Sequence, residues 1–370
     1  MDQTIGKRSF AFGFIIVQLL VATFYPVLAC AQQAEAKVIK TIDGRTIAIA
    51  DLEKYLSAQM DSLKIPGLSI AIINNGSIVY SRNMGVKNVV SKEPAGPATI
   101  FEACSLSKPI FAYFALLMAA RGVLDIDTPL YRYYMDPEVD FSGQEFTALT
   151  ARIVLNHASG WPNWRDNKAQ LLKFNFKPGS KSGYSGEGYQ HLKRVLNYRL
   201  STDDYHLNGY FQEAVVETLH IRSMNYTWLG GMEKNKAFGH IKGRPTDNGP
   251  HGDPRQFDAA SSLHTDAEGY SRFLVKLMDT SDPVVHRLLQ LQDQLPAEGD
   301  GLRRSLGFPY KLIDNKIRYF HSGDNGDARA YCHFYKNQGI GLVMFCNSDN
   351  FFSSSFAKKV LAFLDESYPY

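Results

Sequence analysis

Ser105-Leu106-Ser107-Lys108-Pro109, followed by the uncharged run Ile110 to Ala120 and then by Gly122, is the stretch that decides the reading of this chain. Proline is tolerated in the first turn of a helix, where its missing N–H would have had no partner, and glycine favours the stop. The stretch therefore predicts a buried helix beginning at about Ser105. Three residues make nearly one helical turn, so Lys108 stacks on the face of Ser105 and its amine can reach the hydroxyl. A serine hydroxyl is a weak nucleophile at neutral pH. A lysine sunk beside an apolar helix has its charged form disfavoured and can accept the proton. The free N–H at the helix start can face a developing oxyanion. Alone, Ser-x-x-Lys is also the pattern of a helix cap beside a surface lysine, so partners elsewhere in the chain must decide between the two.

Outward from this helix, Ile49 to Leu63 carries apolar residues at helical spacing. Leu68 to Ile73 and Ile78 to Tyr80 are β-rich and flank Asn74-Asn75-Gly76, the turn chemistry of a tight hairpin. At the other end, Ile317 to Phe320, Ala328 to Tyr335 and Ile340 to Cys346 predict three strands, followed by an amphipathic helix from Ser354 to Glu366. Residues 105–290 are mainly helical periods and loops. The expectation is an α+β fold: an antiparallel sheet built from both termini and flanked by helices, with an inserted mainly helical region. The sheet-bearing parts are expected at about 37–104 and 291–370.

At the N-terminus, Lys7 and Arg8 precede an apolar run from Phe10 to Ala29, and Ala29-Cys30-Ala31 precedes Gln32-Gln33. This order of basic, apolar and small residues predicts a signal peptide over 1–31 and a domain over 32–370, exported to the periplasm or secreted. A retained membrane anchor is the alternative. Val27-Leu28-Ala29-Cys30 also approximates a lipoprotein box, in which a lipidated Cys30 would tether the protein to a membrane.

The 40 Lys and Arg against 37 Asp and Glu give a net charge of +3, spread too evenly to indicate a nucleic-acid partner. Beyond Cys30, the thiols Cys104, Cys332 and Cys346 are expected to be free, because the turn at Asn337-Gln338 offsets the last two. No metal or other cofactor is implied: His157, His206, His220 and His240 are scattered, and His157 is read as structural. Trp161, Trp164 and Trp228 suit core or cleft equally, with Trp161 and Trp164 placed to wall a pocket.

Two segments supply partners for Ser105 and Lys108. Tyr184 stands in the glycine-rich run Gly183-Tyr184-Ser185-Gly186-Glu187-Gly188, where a phenol held between cations can act as general base and then acid. His321-Ser322-Gly323-Asp324 enters a strand; His321 can donate to a substrate carboxylate or to the proton network, Ser322 can add a hydrogen bond, and Gly323 permits close approach. Asp324 and Asp327 are candidates to hold His321 or Arg329, a solvated loop being the alternative.

In this order and at these separations, Ser105-Leu106-Ser107-Lys108, Tyr184-Ser185-Gly186 and His321-Ser322-Gly323 resemble the three motifs of the serine β-lactamase and penicillin-binding-protein superfamily. The similar branch is that of class C β-lactamases, D-Ala-D-Ala carboxypeptidases and esterases. Leu155-Asn156-His157-Ala158-Ser159-Gly160, Met224-Asn225-Tyr226-Thr227 and Ala260-Ser261-Ser262-Leu263 resemble lesser landmarks of that branch. The resemblance implies Ser105 as nucleophile, Lys108 and Tyr184 as acid and base, His321 in the third motif, and the N–H groups of Ser105 and Asp324 as oxyanion hole. It departs at Gly186, where the family usually has Asn; Glu187 is a candidate to replace the lost contact. Implied is a serine hydrolase forming an acyl-enzyme on a small ester, amide or D-amino-acid peptide. The alternatives are a true β-lactamase and a catalytically idle binding protein.

Overall fold

A computed structural model describes residues 37–367 apart from 248, 251, 293–294 and 296–300, together with residue 369. The expected signal segment and Cys30 lie outside the described residues. Residues 37–370 form one compact unit.

In chain order, a hairpin of β1 (Val38–Lys40) and β2 (Thr46–Ala48) leads into α1 (Ile49–Leu63), then β3 (Gly67–Asn74), β4 (Ser77–Gly85) and β5 (Phe101–Glu102). Next come α2 (Ser107–Ala120), α3 (Ala151–Leu155), α4 (Gly186–Leu200) and α5 (Asp204–Phe211). Short strands follow: β6 (Met224–Asn225), β7 (His240–Ile241), β8 (Arg244–Pro245) and β9 (His264–Thr265), then α6 (Ala267–Leu277) and α7 (Pro283–Leu288). The chain closes with β10 (Arg303–Arg304), β11 (Pro309–Ile313), β12 (Lys316–Asp324), β13 (Arg329–Tyr335), β14 (Ile340–Cys346), α8 (Asn350–Ser353) and α9 (Phe356–Phe363).

The main sheet has the order β10-β11-β12-β13-β14-β3-β4, antiparallel throughout, so the β3–β4 hairpin joins the last strand in register from Gly341↔Ile73 to Cys346↔Leu68. Both termini thus build one sheet. Asn75 and Gly76 both have positive φ, as the tight turn between β3 and β4 requires.

Strand alternation divides two cores. Leu68, Ile70, Ile72, Leu342 and Met344 face α1 and α9, whereas Ala71, Ile73, Cys332, Phe334, Val343 and Phe345 face the helical side with α2 and α6. Because His321 lies opposite Cys332, the same alternation turns His321 toward the helical side. Each large apolar side chain so buried contributes about 1.5–3 kcal/mol. α2 is enclosed almost all round, its residues from Ser107 to Leu116 all buried, which is why its sequence lacks a polar face.

Ser355, with a φ of 66°, precedes α9, so the expected C-terminal helix is present from Phe356 to Phe363, and the short α8 comes before it. Within the mainly helical insertion, β9 pairs with β5 (Glu102↔His264) and with β6 (Asn225↔His264), fastening the insertion to the strand that precedes Ser105. All three described cysteines are free, Cys332 facing Val343 and Cys346 facing Arg329.

Candidate active site

Ser105 sits in a single 3-10 turn, Cys104–Leu106, that runs directly into α2. Cys104 has a φ of 49°, an uncommon value for a residue with a side chain, and this bend presents Ser105 at the helix entrance. Several bonds hold the bend. Ser107 Oγ donates to Cys104 O (2.5 Å) and accepts from Leu263 N–H (3.1 Å). The phenols of Tyr226 and Tyr270 donate to Ser107 O (2.5 Å) and Leu106 O (2.9 Å). Pro109 falls in the first turn of α2, where no N–H is needed.

Lys108 is 1% exposed, and its Nζ donates to Ser105 Oγ (3.3 Å) and Ala260 O (3.0 Å). The same Nζ lies 4.6 Å from the centre of the Tyr184 ring. Tyr184 precedes α4, whose N-cap Ser185 accepts from Gly188 N–H (3.0 Å). Behind Tyr184 the His157 ring stacks at 4.4 Å, and its Nδ1 accepts Ser185 N–H (3.1 Å). Nδ1 being an acceptor, Nε2 of His157 carries the ring hydrogen. Burial, reinforced by Arg304 and Lys108, holds His157 well below the usual histidine range. His157, read from sequence as structural, is buried behind the phenol and bonded to the backbone there.

His321 Nδ1 lies 2.7 Å from Ser322 O, and a carbonyl can only accept, so Nδ1 bears the hydrogen and Nε2 the lone pair. Burial, with Lys108 and Arg304 adding repulsion, pushes its pKa down to about 3. This corrects the expectation for His321: it is neutral, it offers an acceptor rather than a donor at Nε2, and neither aspartate holds it. Asp324 instead pairs with Arg329 (2.8 Å), and Asp327 accepts from Thr246 Oγ1. A Cβ on Gly323 would come 2.7 Å from Cys104 Cβ and 3.0 Å from Ser105 N, so only glycine lets β12 lie against the Ser105 turn. Asn325 N–H donates to Ala328 O, and ladder alternation then turns Asp324 N–H away from β13. That edge of β12 faces no paired strand beyond Tyr319 among the described residues.

Ser105 opens into a cavity of about 440 Å³ whose wall includes Asn163, Trp164, Trp228, Asp253, Asp258 and Asp324. Glu102 also lines it and is bound at 2.7 Å to the fully buried Lys236. At Gly186 a Cβ would meet the Trp164 ring at 2.7 and 2.8 Å, so the indole occupies the room a side chain there would need. Glu187 is 3% exposed and its Oε1 accepts from Arg165 Nε (3.0 Å) and Arg165 N (3.1 Å). Its carboxylate is committed away from the cavity, which corrects its expected role at the substrate. Trp164 and Trp228 wall the cavity, whereas Trp161 is a core residue stacked on Phe174.

Arg304 was not foreseen. It enters from the edge strand β10, lies 5.8 Å from the centre of the Tyr184 ring, and donates to Ser182 Oγ (3.2 Å). No motif surrounds it. Among the described residues no group of three or more His, Cys, Asp or Glu is placed to hold a metal ion, and no helix is long and apolar enough to cross a membrane.

The chain was compared with known proteins. The family model described as Beta-lactamase matches residues 52–364. A β-lactamase of Escherichia coli is 23% identical over 367 residues, covering 87% of this chain and 92% of that protein. Protein flp of Staphylococcus aureus is 20% identical over 314 residues, which cover 80% of this chain and only 62% of flp. Among solved structures, an octameric penicillin-binding protein homologue from Pyrococcus abyssi superposes with a TM-score of 0.70 at 21% identity, covering 87% of this chain and 78% of that one. A class C β-lactamase mutant gives 0.70 at 19% identity, covering 85% and 97%. These structures share the fold, α and antiparallel β together. With the family model spanning nearly the whole described region and Ser105, Lys108 and Tyr184 gathered at one helix entrance, the chain belongs to the Beta-lactamase family of the serine β-lactamase and penicillin-binding-protein superfamily.

Proposed function

We propose that the protein is a serine hydrolase that passes through an acyl-enzyme on a small ester, amide or D-amino-acid peptide. The observation that carries this is Lys108 Nζ, which reaches Ser105 Oγ at 3.3 Å while lying 4.6 Å from the centre of the Tyr184 ring. Ser105 Oγ attacks the substrate carbonyl carbon and gives its proton to the Lys108 and Tyr184 pair. The N–H groups of Ser105 and Asp324 receive the oxyanion. Collapse breaks the bond to the leaving group, which takes that proton; water then attacks the acyl carbon, and a proton returns to Ser105 Oγ. Arg304 supplies positive charge for a carboxylate on the leaving side, the role that neutral His321 cannot fill.

Ser105→Ala is expected to abolish turnover of p-nitrophenyl acetate and labelling by a fluorophosphonate. Labelling unchanged from wild type would overturn the hydrolase reading in favour of an idle binding protein. The likeness to the Escherichia coli enzyme supports β-lactam hydrolysis as a second reading, and nitrocefin turnover exceeding that of the ester would promote it. We place the mature protein outside the cytoplasm on the strength of residues 1–31, with Cys30 a candidate for lipidation. Fractionation with metabolic palmitate labelling tests both.

A further inference from the structure

From the bonds that join β5 to the turn after β12, we infer that Glu102 and Asn325 are positioning residues: together they set the spacing of the two oxyanion N–H groups, those of Ser105 and Asp324. This deepens the hydrolase reading and rests on it.

Those two N–H groups come from segments far apart in the sequence, and they act on one oxygen only if both stand at hydrogen-bond distance from it. Something must hold one segment against the other. Glu102 ends β5, whose pairing with β9 (Glu102↔His264) fixes its backbone shortly before the Ser105 turn. The side chain is buried; its Oε1 lies 2.7 Å from Lys236 Nζ, and its Oε2 accepts from Asn325 Nδ2 (2.9 Å). Asn325 follows Asp324 directly, and its Nδ2, which has two hydrogens, also donates to Ser261 O (3.3 Å). A second tie is weaker: Cys104 Sγ reaches Ala328 O at 3.5 Å, and a thiol is a poor donor. Two side chains of the Ser105 segment, Glu102 and Cys104, thus grip the turn from Asp324 to Ala328, and the charge-assisted bond of the carboxylate is the stronger.

Removing the Asn325 amide leaves the turn its own bonds, Asn325 N–H to Ala328 O (3.2 Å) and Asp324 to Arg329 (2.8 Å), so the turn keeps its shape and loses its anchor to Glu102. Misplacement of a catalytic group by about 1 Å costs on the order of 10²-fold in rate. The loss is confined to reactions that build negative charge on an oxygen at that point. A thiono ester builds it on sulfur, with a longer bond and weaker hydrogen-bond acceptance, so it gains little from a hole spaced for oxygen.

The test compares p-nitrophenyl acetate with its thiono analogue, in which sulfur replaces the carbonyl oxygen, on wild type, Asn325→Ala and Asn325→Leu. Release of p-nitrophenol is read in single turnover with enzyme in excess, which brings slow acylation within reach. The ratio of the two acylation rates does not depend on the fraction of protein that is folded. Both variants are expected to lose about 10- to 100-fold on the oxygen ester and to stay within about threefold of wild type on the thiono ester, so the ratio collapses. Equal losses on the two esters would make Asn325 a purely structural residue and overturn the inference, as would an unchanged ratio, each leaving the hydrolase reading intact. Reaction of neither ester with wild type overturns both.

Discussion

On the side of Ser105 that holds Tyr184, the nearby charges are the cations Lys108 and Arg304, and the two histidines His157 and His321 are held neutral. On the side that opens to the cavity, the ionisable groups are chiefly acids: Glu102, Asp253, Asp258 and Asp324. The acids are mostly answered locally, Glu102 by Lys236, Asp324 by Arg329 and Asp258 by the N–H of Ala260. On the Tyr184 side Lys108 Nζ donates to Ser105 Oγ and Ala260 O, and Arg304 donates to Ser182 Oγ. The two walls differ in the sign of their charge: cations stand beside the Tyr184 ring, and carboxylates line the cavity.

The largest expected effect follows from breaking the basic wall. Lys108→Ala removes the group within reach of Ser105 Oγ and should lower kcat/KM for an activated ester by about 10³-fold, within the range for a lost acid-base group. Melting temperature should fall far less than after a core truncation of the same helix, such as Phe111→Ala. A loss under tenfold would separate Lys108 from the chemistry. On the acidic wall the expected damage is to stability. Lys236→Met strips the cation from a carboxylate that is 2% exposed and should cost about 3–5 kcal/mol in urea unfolding. Hydrolysis per folded molecule should change little, since Glu102 still accepts the Asn325 amide (2.9 Å).

The two walls were not equally legible in the sequence. The contacts of the basic wall begin with a pair one helical turn apart, and periodicity alone places Lys108 on the face of Ser105. Tyr184 and His321 were legible through a glycine-rich loop and a strand entrance, both local signals. The cavity wall is built from contacts across long separations, Glu102 with Lys236 and Gly186 with Trp164, and such pairings exist only once the insertion is fastened through β5, β9 and β6. Arg304 had no signal because a two-residue edge strand has no periodicity to read. His157, read as structural, is buried against the Tyr184 ring, a long-range contact that no local pattern announces. The expectation for Glu187 failed for the same reason: Arg165, twenty-two residues away, claims its carboxylate.

The smallest expected effect tests how far the basic wall reaches. His321 in the folded protein has a pKa of about 3, against 6.5 for a free side chain. Below pH 6.5 the unfolded chain takes up a proton that the folded chain refuses, so this group's contribution is complete above pH 6.5 and is lost as pH falls toward 3. At pH 5 the loss amounts to about 2 kcal/mol. His157, depressed in the same direction, adds to it. The His321 ring resonance should therefore show no titration between pH 5 and 8, and His321→Gln should reduce the drop in melting temperature between pH 7.5 and pH 5. A carboxylate partner such as Asp324 would have raised the pKa and reversed the sign, making the protein more resistant to acid through this residue. Titration near 6.5, or an unchanged acid sensitivity in His321→Gln, would show that the ring is not held in the buried, cation-flanked position that depresses its pKa.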